Sequence, residues 1–347
     1  MWVNTLVVSL AMTEHLILGK PVGKQPFLRY TGAVKIFFPF FMKRITIVGA
    51  GAVGAHIASA GILKDLPAEF LLLDLNEDLE AAQVLDLRDS LLFSDTKGIS
   101  GADFGSKEVQ ESDIFIITAG SAQKEGESRT NLLGRNEKIL RSIADGIGKM
   151  KETAVVMMVT NPVDILTELA QDIFGLPRGQ VLGTGTLLDS SRMKWHIAEK
   201  CGVHPKNVAG FVLGEHGDSE FIAWSQVMVR GRRVQDLLST EERDEIEQQT
   251  QREAYEIIKR KGATFFGIGA ATIKIVSAIL GDRKDIFPVS ASLNGGFGIS
   301  GVALGIPCVI GERGIEQIWE IPLEAAEQEK LKKSAEKLQG FLTEYRK

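Results

Sequence analysis

From Met42 onward, short apolar runs rich in β-branched residues alternate with longer stretches whose apolar positions recur three or four apart. RITIVGA (44–50) predicts a buried strand, and after a glycine-rich turn GAHIASAGILK (54–64) predicts a helix. FLLLDLN (70–76) predicts a second buried strand, followed by helical spacing over 77–93. SDIFIITAG (112–120) and TAVVMMVTNP (153–162) predict two further strands, ending in Gly and in Asn-Pro, both turn formers. The stretch between them (129–150) is helical by Leu132, Leu133, Ile139, Leu140 and Ile143. Such alternation predicts an α/β fold, a mostly parallel sheet with crossover helices.

The later half has a different rhythm. Helices are expected over 189–202 and 241–262, strands over IFPVSASL (286–293) and GVALGIPCVIG (301–311), and a closing helix over 324–347. In that last segment Leu331, Ala335, Leu338 and Phe341/Leu342 form one apolar face, so its charges need only be a solvated face. The change of pattern near Pro162 to Asp164 predicts two lobes, 42–163 and 164–347. No repeat of fixed period is present. Residues 1–41 stand apart. Their apolar start, MWVNTLVVSLAM, has no Lys or Arg before it and is too short to span a bilayer. They read as an extension upstream of the fold, with a targeting or membrane-touching arm as the alternative.

A chain of 347 residues is too long for one small core and fits two lobes. With 44% hydrophobic and 24% charged residues and no low-complexity run, nothing argues for disorder. A net charge of -5 gives no basic footprint, so nucleic acid is not an expected partner, and no membrane is expected either. Cys201 and Cys308 are the only cysteines, which excludes a disulfide framework and any zinc spacing. No metal is expected, and a reducing, cytoplasmic setting fits.

Gly49, Gly51 and Gly54 form a G-x-G-x-x-G loop directly after the first strand and at the opening of a helix. That arrangement gives a tight turn, bare backbone where a pyrophosphate approaches, and free helix N–H groups facing the anion. Asp74 ends the second strand, twenty residues after Gly54, where an acidic side chain accepts from the adenosine ribose. Its charge repels a 2′-phosphate, and no Arg follows it in DLNED, so NAD is favoured over NADP. The loop alone also fits FAD.

LGEHGDSEF (213–221) places His216 between two glycines with Glu215 and Asp218 close by. An imidazole there can take and give a proton near neutrality; it can equally be a structural histidine bonded to a backbone carbonyl. Asp189 and Arg192, three apart, share a helix face. A carboxylate can fix an imidazole tautomer and a guanidinium fork can grip a substrate carboxylate, although such a pair is most often a surface ion pair.

Over residues 42 to about 345 the chain resembles the lactate/malate dehydrogenase family, and within it the L-lactate dehydrogenases. GAGAVG, DIFIITAG, QKEGESRTNLLGRN, TNPVDIL, GTGTLLDSSR, GEHGDSEF and KGAT, in that order, carry the resemblance. It implies a Rossmann-type doubly wound parallel sheet with a C-terminal α+β substrate domain, and reversible NADH-dependent reduction of a 2-keto acid. It further implies that His216 gives and takes the proton, that Asp189 orients it, that Arg192 grips the substrate carboxylate, and that Arg129 polarises the ketone. Asn161 matches the asparagine beside nicotinamide and substrate, and Thr264 a pocket threonine. Val53, Ala119 and Gly120, with the glycine loop and Asp74, are the expected cofactor contacts. Gly126 would let the loop carrying Arg129 act as a lid, and a homotetramer is implied.

Gln123 stands where malate-specific members carry Arg. A dicarboxylate would leave its second charge unpaired there, so pyruvate is expected over oxaloacetate. GDSEFIAWS and GTGTLLDSSRM also resemble the branched 2-hydroxyacid dehydrogenases of the L-2-hydroxyisocaproate type, the alternative. Lys194 and Ala209 replace the Arg and His with which many bacterial members bind fructose 1,6-bisphosphate, so little activation by that sugar is expected. Cys201 and His204 raise the idea of the metal site of NAD-using glycosidases, but they sit in a bland loop. A non-catalytic relative would be expected to lack one of Arg129, Asp189, Arg192 or His216, and all four are present.

Overall fold

The computed structural model describes residues 43–121 and 129–346, and the side chains of all of these except 129 and 130. Gln123 and Gly126 lie outside the described residues, as do the side chain of Arg129 and the upstream segment 1–41.

The apolar runs form β1 (Lys43–Val48), β2 (Ala68–Leu73), β4 (Ile114–Ile117) and β5 (Val155–Met158), joined by β3 (Gly98–Gly101) and β6 (Val181–Gly183). They lie in the order β3-β2-β1-β4-β5-β6, every neighbouring pair parallel. Strands covered on both faces need continuous apolar sequence, and β4 and β5 are buried at every position. Each such Ile or Val stabilises the fold by about 1.5–3 kcal/mol. The polar exception in β1, Thr46, shares a hydrogen bond with Ser112 at 2.6 Å, so neither hydroxyl is orphaned.

The crossovers run through α1 (Ala52–Leu63), α2 (Glu77–Asp89), the single turn α3 (Lys107–Gln110), α4 (Arg129–Ile147) and α5 (Val163–Phe174). Of the apolar positions that predicted α4, Leu132, Leu133, Leu140 and Ile143 are buried and Ile139 half-buried. The helix expected over 77–93 ends at Asp89, and a 3-10 turn completes the stretch. Its start is set by Asn76, whose side chain accepts from Leu79 N at 3.1 Å.

Beyond β6 follow α6 (Leu187–Cys201), the two-residue strands β7 (Val208–Ala209), β8 (Val212–Leu213), β9 (Phe221–Ile222), β10 (Met228–Val229) and β11 (Arg232–Arg233), then α7 (Thr240–Lys261) and α8 (Phe266–Leu280). The antiparallel strands β12 (Asp285–Asn294), β13 (Ser300–Gly311) and β14 (Gly314–Ile318) extend the main sheet past β6, and α9 (Ala325–Tyr345) closes the chain. In α9, Leu331, Ala335, Leu338 and Leu342 are buried, as the spacing predicts. Helix α8 has no polar face to give a periodic signal, which is why spacing did not reveal it; Ile273, Ile275 and Val276 are fully buried and Gly269 lets His56 of α1 approach. Among the described residues no helix is long and apolar enough to cross a membrane.

Candidate active site

The carboxyl ends of β1, β2, β4 and β5 frame the first half of the site. Gly49 has φ +113°, and a Cβ there would lie 2.6 Å from Thr118 Oγ1. At Gly54 it would meet the Gly49 carbonyl oxygen at 1.9 Å, so these two glycines are required by close packing of loop and helix. A Cβ on Gly51 would meet nothing within 4 Å. Gly51 is also the N-cap of α1 and offers no side-chain cap. The first N–H groups of α1 are thus left to a ligand, and the open side of Gly51 admits one.

Asp74, just past β2, accepts from Ala50 N at 2.7 Å and from Asn76 N at 2.9 Å, which pins its carboxylate against the glycine loop. Glu80 accepts from Asp74 N at 2.8 Å, and burial with the nearby acids raises its pKa. Two carboxyls therefore lie together at the end of β2 beside the glycine loop, a setting hostile to an added phosphate. Val53 packs against the core from α1. Ala119 and Gly120 follow β4, with Thr160 Oγ1 donating to Ala119 O at 2.9 Å. Asn161, exposed, precedes a cis bond to Pro162. Asn136 ties these turns together: buried in α4, it accepts from Ser121 N at 2.8 Å and donates to Asn161 O at 2.8 Å. The sequence reading passed over Asn136, although a polar residue on the apolar side of α4 was the available signal.

The second half is built on the loop between β8 and β9, which pair antiparallel. Gly214, at φ +95°, bridges to Gly305 of β13. Glu215 N donates to Ser334 Oγ at 2.8 Å, and Lys337 donates to Glu215 Oε2 at 2.6 Å, so α9 holds the loop from outside. His216 N donates to Asp164 Oδ2 at 2.7 Å, and Ser290 of β12 donates to Asp164 Oδ1 at 2.5 Å. Burial pushes the Asp164 pKa up to about 6, against those two hydrogen bonds.

His216 Nδ1 lies 2.6 Å from Asp189 Oδ2, and Arg192 Nη1 donates to Asp189 Oδ1 at 2.7 Å. Asp189 and Arg192 are buried, so the pair on α6 is no surface ion pair. Burial alone would raise the Asp189 pKa, but His216 and Arg192 outweigh it and hold the carboxyl below its ordinary value. Burial likewise opposes the charge on His216, and Asp189 overcomes it, raising the imidazole to about 9. An anionic Asp189 requires the proton on Nδ1, which leaves Nε2 as the working nitrogen on a side chain still 25% exposed. Arg192 Nε is buried without a hydrogen-bond partner, 3.5 Å from Glu253 of α7. The guanidinium thus has donors unspent on protein.

The sequence reading brought His216, Asp189 and Arg192 together, and the structure joins them in one hydrogen-bonded cluster. Thr264, half-buried between α7 and α8, makes no hydrogen bond into it. Asp164, Ser290, Glu253 and the buried Glu220 were missed; an acid in the first turn of the α5 segment, in TNPVD, was the clearest unread signal. Cys201 ends α6, and His204 Nδ1 accepts from Lys206 N at 3.2 Å as an N-cap, the bland arrangement expected.

The strand order, the glycine loop and the acidic end of β2 define a Rossmann-type dinucleotide-binding protein. Residues 43–183 match the lactate/malate dehydrogenase NAD binding domain, and residues 186–346 match the lactate/malate dehydrogenase alpha/beta C-terminal domain. The chain belongs to the lactate/malate dehydrogenase family, and its cofactor is NAD. It is 39% identical over 306 residues to an L-lactate dehydrogenase of Clostridium botulinum, covering 86% of this chain and 96% of that one. It is 42% identical over 299 residues to L-lactate dehydrogenase A of Rhizopus oryzae, covering 86% and 91%. Among solved structures, the ligand-bound minor L-lactate dehydrogenase of Enterococcus mundtii matches with TM-score 0.82 at 35% identity, covering 87% of this chain and 98% of that one. A lactate dehydrogenase from a Medee basin deep-sea metagenome library matches with TM-score 0.84 at 32% identity, covering 88% and 99%.

Proposed function

We propose that the chain is an L-lactate dehydrogenase, reducing pyruvate to L-lactate with NADH and catalysing the reverse reaction. The observation that carries this reading is the buried Arg192, which spends one N–H on Asp189 while Asp189 also orients His216. One fixed carboxylate thereby sets the spacing between a proton donor and an anion-binding fork.

The glycine loop, Val53, Asp74, Ala119, Gly120 and Asn161 would hold the cofactor, whose reduced nicotinamide supplies the hydride for the keto carbon. Arg192 binds the substrate carboxylate through its remaining donors. His216, protonated at neutral pH, gives the Nε2 proton to the carbonyl oxygen, and Asp189 stabilises the imidazolium before transfer. Arg129, at the start of α4, supplies the cation for charge developing on that oxygen; Thr264 and Asn161 complete the pocket. Proton and hydride together convert C=O to CH–OH, and reversal needs His216 neutral.

Division into lobes 42–163 and 164–347 puts the glycine loop and Asp74 before it and Asp189, Arg192, His216 and Thr264 after, with Arg129 and Asn161 reaching the substrate from the first lobe; the two family models divide further on, between 183 and 186, after β6 completes the parallel sheet. A homotetramer in the cytoplasm fits exposed apolar side chains such as Leu92, Phe93, Trp195 and Phe266, which subunit contacts would cover. Ala209 is exposed in β7 and offers no charge, and burial without a counter-ion lowers the Lys194 pKa, so fructose 1,6-bisphosphate should leave pyruvate half-saturation unchanged.

The test is NADH oxidation with pyruvate, 2-ketoisocaproate and oxaloacetate side by side. Preference for pyruvate is expected; preference for 2-ketoisocaproate would move the substrate to branched 2-keto acids, and inertness toward all three would overturn the assigned roles.

A further inference from the structure

The buried carboxyl of Glu220 has no part in the mechanism above. It is 5% exposed, and its oxygen, an Asp189 oxygen and a His216 nitrogen lie within 4.8 Å of one another. Both Asp189 oxygens are already taken, one by His216 Nδ1 and one by Arg192 Nη1. No hydrogen bond or ion pair reaches the Glu220 carboxyl among the described residues.

The groups facing it come from four elements. Asp189 and Arg192 face it from α6, His216 from its own loop and Asp164 from α5. On α7, Gln251 donates to the Glu220 backbone carbonyl at 3.0 Å, while Glu253 is turned toward His196 and Arg192. The two cations thus serve an anion already in place, and a second buried anion beside it is disfavoured both by repulsion and by loss of water.

We propose that Glu220 is a positioning residue that holds a proton beside the Asp189–His216 pair, and that losing this proton shuts down oxidation of the 2-hydroxy acid at alkaline pH. This rests on the proposed lactate chemistry. Burial and the neighbouring Asp189 raise its pKa to about 9. The cluster therefore releases two protons in coupled steps. With both in place, His216 is an acid and Glu220 is neutral, the form that reduces the keto acid. With one gone, the form in which His216 is neutral and Glu220 keeps its proton can accept the hydroxyl proton of the 2-hydroxy acid. With both gone, Glu220 is an anion; it repels the incoming carboxylate and the site idles.

The experiment is the pH profile of kcat/KM for L-lactate oxidation, each enzyme normalised to its own maximum. The wild-type profile should rise and then fall, about tenfold per pH unit on the alkaline side, as expected when one proton is required. Glu220→Gln, which cannot ionise, should rise and stay level, and Glu220→Asp should keep the fall. An unchanged fall in Glu220→Gln, or no fall in the wild type, would overturn the proposal. Infrared titration of the wild-type protein supplies a readout without turnover: a carboxylic-acid band at neutral pH should vanish on alkaline titration, and its absence would overturn the proposal even if Glu220→Gln does not fold. A wild-type protein inert toward L-lactate would sink the functional reading, whereas the infrared titration would still judge Glu220.

Discussion

His216 and Asp164 are joined through the backbone: His216 N donates to Asp164 Oδ2 at 2.7 Å, while the ring is held from its other end by Asp189. Asp164→Ala leaves that buried N–H unpaired, which costs about 1–3 kcal/mol. A lower melting temperature and a lower kcat are expected. Asp164→Asn keeps an acceptor and separates anchoring from charge. The Asp164 pKa is raised from 3.8 to about 6 in the folded protein, so this group favours folding most below pH 3.8 and loses that advantage as pH rises through 6. The loss is roughly 3 kcal/mol. Denaturant titrations at pH 4 and pH 7 should show Asp164→Asn gaining stability relative to the wild type as pH rises; equal gaps at both would refute the assigned charge.

Asp189 governs the protonation of His216, and its removal should show in the pH profile before anything else. The imidazole is raised from 6.5 to about 9, so its contribution to stability is complete below 6.5 and is lost as pH rises through 9. Pyruvate reduction, which needs the proton, should hold to about the same pH and then decline. Asp189→Asn removes the charge and lets an amide compete for the wrong tautomer, lowering kcat by about 10²–10⁴. Its alkaline decline should begin about two pH units earlier. Steady-state kinetics across pH with both enzymes decides this, and an unmoved decline would count against Asp189 as the orienting partner.

Much of this was legible in the sequence because the parallel strands are buried on both faces and read as unbroken apolar runs. The glycine loop was legible for a similar reason, since Gly49 and Gly54 are fixed by contacts that no side chain fits. Short strands were not: β6 is three residues long and β3 is framed by glycines, so neither develops a period. The buried acids were hidden differently. Asp164 and Glu220 look like ordinary surface charges in sequence; only long-range packing of α5 brings Asp164 to His216, and only the packing of α6 against the β8–β9 loop sets Glu220, four residues from His216, beside the buried Asp189.

Arg192 carries a requirement that charge alone does not meet. A guanidinium can hold Asp189 and a carboxylate at once, whereas an ammonium is a point charge without the planar fork. Arg192→Lys should raise the pyruvate KM about 30-fold or more, equivalent to roughly 2 kcal/mol of lost pairing. NADH binding, followed by its fluorescence, should stay close to the wild-type value because the cofactor groups lie on other elements. A loss confined to kcat would contradict the anion-binding role.

Discrimination against NADPH should come from two acids rather than one. Asp74 is held to the loop by Ala50 N, and Glu80 stands behind it on the Asp74 N–H. Asp74→Ser alone leaves Glu80 facing a 2′-phosphate and should relax the preference for NADH only partly. Adding Glu80→Gln should relax it further, measured as kcat/KM with NADPH against NADH. If Asp74→Ser alone abolished the preference, Glu80 would have no part in it.

The family resemblance makes position 123 the test of selectivity between pyruvate and oxaloacetate. On that proposal a neutral side chain there leaves the second carboxylate of oxaloacetate without a counter-ion, a penalty of several kcal/mol once it is desolvated. Gln123→Arg supplies the cation and should raise kcat/KM for oxaloacetate by about 10² or more, while pyruvate activity falls because the new charge is left unpaired. Both substrates should be measured on both enzymes, since the ratio isolates the charge from any general damage to the loop. A fall for both substrates in equal measure would show that Gln123 supports the loop rather than selecting the substrate.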